Sequence, residues 1–174
     1  MTDYNRIFLA TLQEHSNDSK WTNALFGGVK TLSNTKVGTV GQAFIEKFCS
    51  ELGFICQFPT NALGERVTQS PWDIAINNVQ FELKTATEDT AMHFQFNHIR
   101  YHRPYDALLC LGVSPANLYF GVWSKADVVT GKAGNLVSME KDANASYKLT
   151  KTPQQLKTLD VFSERMLHFI AAFK

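Results

Sequence analysis

The stretch Trp72-Asp73-Ile74-Ala75-Ile76-Asn77-Asn78-Val79-Gln80-Phe81-Glu82-Leu83-Lys84 sets β-branched and aromatic residues on both sides of an asparagine pair. Such flanks favour strands, and asparagine tolerates the positive φ of a tight two-residue turn, so a hairpin with Asn77 and Asn78 at its tip is predicted. That turn opposes Ile76 to Val79, Ile74 to Phe81 and Asp73 to Glu82. Alternation along the strands then gathers Ile74, Ile76, Val79, Phe81 and Leu83 on one face, and Asp73, Ala75, Gln80, Glu82 and Lys84 on the other. Like charges opposed across strands are destabilising. A hard divalent cation between the two carboxylates explains their retention, because oxygen ligands suit Mg²⁺. Lys84 beside it would orient or polarise an attacking water. An amphipathic hairpin whose charged outer face is merely solvated has the same alternation.

Upstream, residues 38–54 read as a helix with Gly41, Phe44, Ile45, Phe48 and Leu52 as its buried stripe and Gly53 as its stop. Downstream, the run from His93 to Arg103 lacks acidic residues and interleaves bases with aromatics, which suits phosphate and stacking contacts by Arg100 and Arg103. Phe94, Phe96 and Ile99 equally fit a core-facing pattern with solvated charges between them. The three histidines of this run match no structural zinc spacing, though His98 and His102 fall on one face if the run is helical.

An Asp followed about ten residues later by Glu-x-Lys resembles the PD-(D/E)XK nucleases, the restriction-endonuclease-like superfamily. The resemblance implies Asp73 and Glu82 as a metal pair for Mg²⁺, with Lys84 as the third catalytic residue. The proline of the family's name is displaced by one place, in Pro71-Trp72-Asp73. Many members also carry a Gly-Glu pair on the helix before the hairpin, whose glutamate helps hold a metal. Here the pair is Gly41-Gln42; Gln42 offers a carbonyl oxygen without charge. Glu46, one turn later, is the other candidate ligand, or else a solvated helix residue. Members commonly place a basic helix after Glu-x-Lys, which points again to Arg100 and Arg103 at the DNA.

The remaining chain supplies walls. Residues 106–113 are almost wholly apolar and suit a strand buried on both faces; Ser114-Pro115-Ala116-Asn117 turns it into a second strand, Leu118 to Trp123. Ser124 to Asp127 reads as a short capped helix. Residues 130–147, rich in Gly, Asn, Ser and Lys, read as a loop. Thr152-Pro153-Gln154-Gln155 has capping-box form and opens a helix burying Leu156, Leu159, Phe162, Met166, Phe169, Ile170 and Phe173. Asp3 to His15 reads as an amphipathic helix, with more helix around Trp21 to Phe26. These elements predict a single α/β domain with a central mixed sheet of at least four strands flanked by helices, divided into a helical segment (1–37), a catalytic core (38–123) and a C-terminal loop and helix (124–174).

At 174 residues and 44% hydrophobic content, the chain can bury one substantial core. No secretory signal or run long enough to span a bilayer is evident. Three unclustered cysteines, Cys49, Cys56 and Cys110, suit reduced core residues in a cytoplasmic protein. A net charge of +1 excludes a general polyanion binder, so any nucleic-acid surface is local. With the resemblance, the expectation is a Mg²⁺-dependent DNA endonuclease. The small size looks like a Type II restriction endonuclease, acting as a homodimer on double-stranded DNA beside a cognate methyltransferase. The alternatives are a structure-selective repair or recombination nuclease, and a catalytically silent DNA-binding protein on the same fold.

Overall fold

The computed structural model describes residues 19–67 and 70–173; the helix expected over Asp3 to His15 lies outside them. A six-stranded mixed sheet forms the centre. Its strands are β1 (Cys56–Gln57), β2 (Ile74–Ile76), β3 (Val79–Thr87), β5 (Ala107–Val113), β6 (Leu118–Ser124) and β9 (Lys157–Thr158), in that spatial order. β3 and β5 are parallel, and every other neighbouring pair is antiparallel. A smaller antiparallel sheet of β4 (Phe94–Ile99), β8 (Ser146–Lys151) and β7 (Leu136–Glu140) packs on one face. Helices α1 (Asn34–Glu51) and α3 (Phe162–Ala171) contribute to the core on the other, and the short α2 (Lys125–Val129) follows β6. The α/β class with a central mixed sheet is therefore as expected.

Alternation of side chains explains the layering. Ile74, Ile76, Val79, Phe81 and Leu83 join Ile45, Cys49, Phe162, Met166 and Ile170 in the helix-side core. β5 is buried at every position and feeds both sides: Leu109 and Leu111 go to the helix side, Leu108 and Cys110 to the side of the smaller sheet. Phe94, Phe96, Ile99 and Leu149 complete that second core.

Several local expectations are corrected. α1 begins at Asn34, not near Gly38, because the Ser33 side chain accepts from the Lys36 amide and caps it. Cys49 is buried on its inner face, while Leu52 is 38% exposed. Residues 22–26 form turns, and a 3₁₀ segment lies at Gly27–Thr31. The basic-aromatic run is a strand, β4, with Phe94, Phe96 and Ile99 fully buried, so no helical face joins His98 to His102. The expected loop over 130–147 contains β7 and the start of β8. The Thr152 capping box closes a single 3₁₀ turn, Pro153–Gln155, since Lys157 and Thr158 then pair with β6; the helix starts only at Phe162. Phe173 stays 41% exposed. Among the described residues no helix is long and apolar enough to cross a membrane.

Candidate active site

The hairpin forms as its asparagine pair dictates. Asn77 and Asn78 take φ of 47° and 73°, and the ladder pairs Ile76 with Val79 and Ile74 with Phe81. The tip is anchored behind α1, since the Ile55 amide donates to Asn77 Oδ1 and the Asn77 amide to the Ile55 carbonyl. Ile74↔Phe81 is the last pair of this ladder, so Asp73 enters β2 from outside it and is not itself a ladder partner of Glu82. Its amide donates to the Phe81 carbonyl (2.8 Å), and its Oδ2 accepts from the Leu83 amide (2.7 Å). From Glu82 onward β3 pairs only with β5 among the described residues, which leave its other edge open. The Asp73 carboxylate caps the beginning of that edge.

Glu82 and Lys84 share a face of β3, two residues apart, with Lys84 Nζ 2.8 Å from Glu82 Oε1. Glu82 is 5% exposed. Among the described residues, its other oxygen, Oε2, takes a long contact, 3.4 Å, from the Arg100 amide. Burial raises the Asp73 pKa above the usual carboxylate range; the Leu83 amide and Lys84 oppose this, and the Glu82 charge adds to it. The Glu82 charge thus acts on Asp73 although the two are not ladder partners, contrary to the expected register. Tyr105 adds a feature that the sequence did not signal. Its hydroxyl is buried against Glu82, and burial, followed by the charge of that carboxylate and hydrogen bonding to it, raises its pKa. Tyr105 lies 23 positions from Glu82 and joins it only through the β3–β5 pairing, so no local pattern points to it.

The other candidate residues divide. Gln42 Nε2 donates to the Asp73 backbone carbonyl (3.1 Å), so it steadies the Asp73 main chain rather than facing the carboxylate. Glu46 is paired with Arg66 (3.1 Å), whose guanidinium stacks over Phe58. Arg103 acts on the charge of Asp73, and its Nη1 reaches the Ser70 carbonyl (3.4 Å). Lys125 Nζ holds the Arg103 carbonyl at 2.6 Å. Arg100 lies beside Glu82 through its amide and sends its guanidinium toward Glu140 (3.8 Å). Both arginines therefore stand at the rim of the same cluster. His98 contacts Glu140 and Ser146. Among the described residues no three His, Cys, Asp or Glu side chains gather as a metal cluster, zinc included.

A two-carboxylate site for a hard cation nevertheless fits these residues. Asp73 Oδ1 accepts from no described residue, and Glu82 Oε2 takes a long contact from the Arg100 amide. Oxygen donors of this kind, short of partners and partly withdrawn from water, suit Mg²⁺ better than softer ions.

No family model matches the sequence, and no curated protein does. Among solved structures, a bacterial homing endonuclease is similar at a TM-score of 0.43 and 11% identity, over 69% of this chain and 75% of that one. The functional reading accordingly rests on the site itself.

Proposed function

We propose that the chain is a metal-dependent endonuclease that hydrolyses phosphodiester bonds of double-stranded DNA on a restriction-endonuclease-like fold. The observation that carries this reading is the meeting of Asp73, Glu82 and Lys84 at the open edge of β3, with Lys84 Nζ 2.8 Å from Glu82 Oε1 and the Asp73 carboxylate fixed by the Leu83 amide. Asp73 and Glu82 would hold Mg²⁺, which supplies Lewis acidity toward the scissile phosphate and lowers the pKa of a bound water. Lys84 orients the attacking water and neutralises charge developing on the phosphate oxygens. Arg100 and Arg103, at the rim, hold the flanking phosphates. Tyr105 faces the Glu82 carboxylate and limits its motion.

Within that chemistry we favour a small Type II restriction endonuclease that acts as a cytoplasmic homodimer, two sites cutting the two strands of a palindrome, with a methyltransferase protecting host DNA. A repair or recombination nuclease shares the chemistry, and sequencing of cut ends separates the two: fixed sites mean restriction, nicks at junctions or mismatches mean repair.

The test is cleavage of supercoiled plasmid with Mg²⁺ or Mn²⁺ by wild type and by Asp73→Asn, Glu82→Gln and Lys84→Ala, with folding checked by circular dichroism. Wild type should nick or linearise the plasmid. Each variant should lose at least about a hundredfold in rate, with Lys84→Ala keeping its DNA affinity within a few fold. Wild-type activity in Asp73→Asn or Glu82→Gln contradicts the reading. DNA binding by wild type without cleavage under either metal identifies a silent relative.

A further inference from the structure

Past Lys84, the open end of β3 borders a polar cleft of about 440 Å³. Asn34 and Thr35 at the start of α1 form one wall, Thr87 lies at its base, and Gln95, Asn97 and His98 of β4 form the other wall. β4 is built to present that wall. Phe94 and Phe96 point into the core and are fully buried, while Gln95 and Asn97 between and beyond them are exposed. An irregularity between Phe96 and Ile99, with His98 at φ 57°, breaks the alternation and leaves His98 exposed too.

The chemistry of the lining is selective. None of the described residues lining the cleft is Lys or Arg. Its single acid, Asp89, accepts from the amides of Ala91 and His93 and from Gln95 Nε2. Burial pushes the Asp89 carboxyl up, but those bonds outweigh it and hold the group below the usual range. A track for phosphates needs cations, and those lie at the other end of the site, on Arg100 and Arg103. Neutral amides and hydroxyls, which both donate and accept, match the edges of bases instead. Asn97 has no hydrogen-bond partner among the described residues, so its carbonyl and its amide are both available. Gln95 has committed one of its two Nε2 hydrogens to Asp89, and its Oε1 has no partner among the described residues.

We propose that β4 is the specificity strand: Asn97 makes a paired contact to the edge of one base, with adenine N6 and N7 as the fitting partner, and Gln95 Oε1 accepts from the exocyclic amine of a neighbouring base. The proposal rests on the nuclease reading above and names how that site selects its substrate. β4 is an edge strand of the three-stranded sheet β4-β8-β7, and Gln95 and Asn97 stand on its exposed face.

The experiment sequences the ends produced from a randomised duplex library, with Mg²⁺, by wild type, Asn97→Ala and Gln95→Ala. Wild-type ends should share a fixed sequence containing an A·T pair. Asn97→Ala should lose discrimination at that pair by about tenfold to a hundredfold while the other positions hold, and Gln95→Ala should relax a neighbouring position. Asn97 and Gln95 are exposed, so neither change removes core packing. An unchanged cut-site sequence in both variants, or wild-type cutting without any preference, overturns the assignment of β4. Failure of wild type to cut at all under Mg²⁺ or Mn²⁺ is a different result: it overturns the nuclease reading, and this proposal with it.

Discussion

Two buried glutamates flank the second half of β3, and their surroundings differ in kind. Glu88, just past the strand, is 7% exposed and has its carboxylate filled: Lys20 Nζ sits 2.7 Å from Oε1, and the Ser114 hydroxyl donates to Oε2. Lys20 in turn also donates to the Asp89 carbonyl, which closes the network. Glu82 is buried to a similar degree and also has a lysine, at 2.8 Å. It lies, however, near a second carboxylate and the buried Tyr105 hydroxyl, and among the described residues its Oε2 takes a long contact from the Arg100 amide. A buried charge costs free energy unless its partners are complete. Glu88 reads as a structural tie between the chain before α1 and the sheet, whereas Glu82 shares its burial with the charge of Asp73.

This contrast predicts opposite consequences for the same substitution. Glu88→Gln should lose on the order of 2 kcal/mol of stability, the usual cost of a lost hydrogen bond to a charged group, while the intrinsic cleavage rate of the folded fraction stays unchanged. Glu82→Gln should shift stability by less than about 1 kcal/mol, because loss of the Lys84 pair is offset by relief of repulsion from Asp73. Urea denaturation of both metal-free variants measures this. A larger destabilisation for Glu82→Gln than for Glu88→Gln would erase the distinction.

A smaller effect is expected at the rim. Arg100→Ala and Arg103→Ala should each weaken duplex binding by several fold, on every sequence alike, and make the salt dependence shallower by about one charge. Arg100 already leans toward Glu140 at 3.8 Å, so its loss should weigh less than that of Arg103, which acts directly on the site at Asp73. Titrations at several salt concentrations decide it, and unchanged slopes in both variants would place the DNA elsewhere.

The least effect concerns Asp73 and pH. Burial raises its pKa in the folded chain above the unfolded value. The folded state then holds the proton more tightly, so this contribution is fully present below the unfolded pKa and is lost as pH rises through the folded one. Asp73→Asn should remove that decline and give metal-free protein a flatter stability profile from about pH 4 upward. Equal pH dependence in wild type and variant would show that the carboxylate bears no burial cost.

What could be read beforehand follows the range of the interactions concerned. The Asn77-Asn78 turn and the alternation on either side of it are local, so the hairpin and its two faces were legible, while the position of Asp73 outside the ladder was not. β5 was legible too, since only a strand buried on both faces needs such an unbroken apolar run. β7 was not: Leu136, Val137 and Met139 lie in a polar stretch, remain at least partly exposed, and form a strand through pairing with β8. The Thr152 capping box is present, but pairing of Lys157 with Phe120 overrides the helix it announces. Phe94, Phe96 and Ile99 fitted either core or groove by pattern alone, and contact with Leu108 and Leu149 across the second core decides for core. At the site, the orientation of Gln42 toward a backbone carbonyl and the presence of Tyr105 depend on packing between distant segments, which no short window contains.

If Asp73 and Glu82 hold a hard cation and Glu88 does not, calorimetric titration of Mn²⁺ into metal-free protein will separate them. Wild type and Glu88→Gln should bind one class of Mn²⁺ with the same affinity. Asp73→Asn and Glu82→Gln should each lose at least about tenfold in affinity, as removal of a charged oxygen ligand requires. Absence of binding in wild type, or equal affinity in all four proteins, would contradict the account.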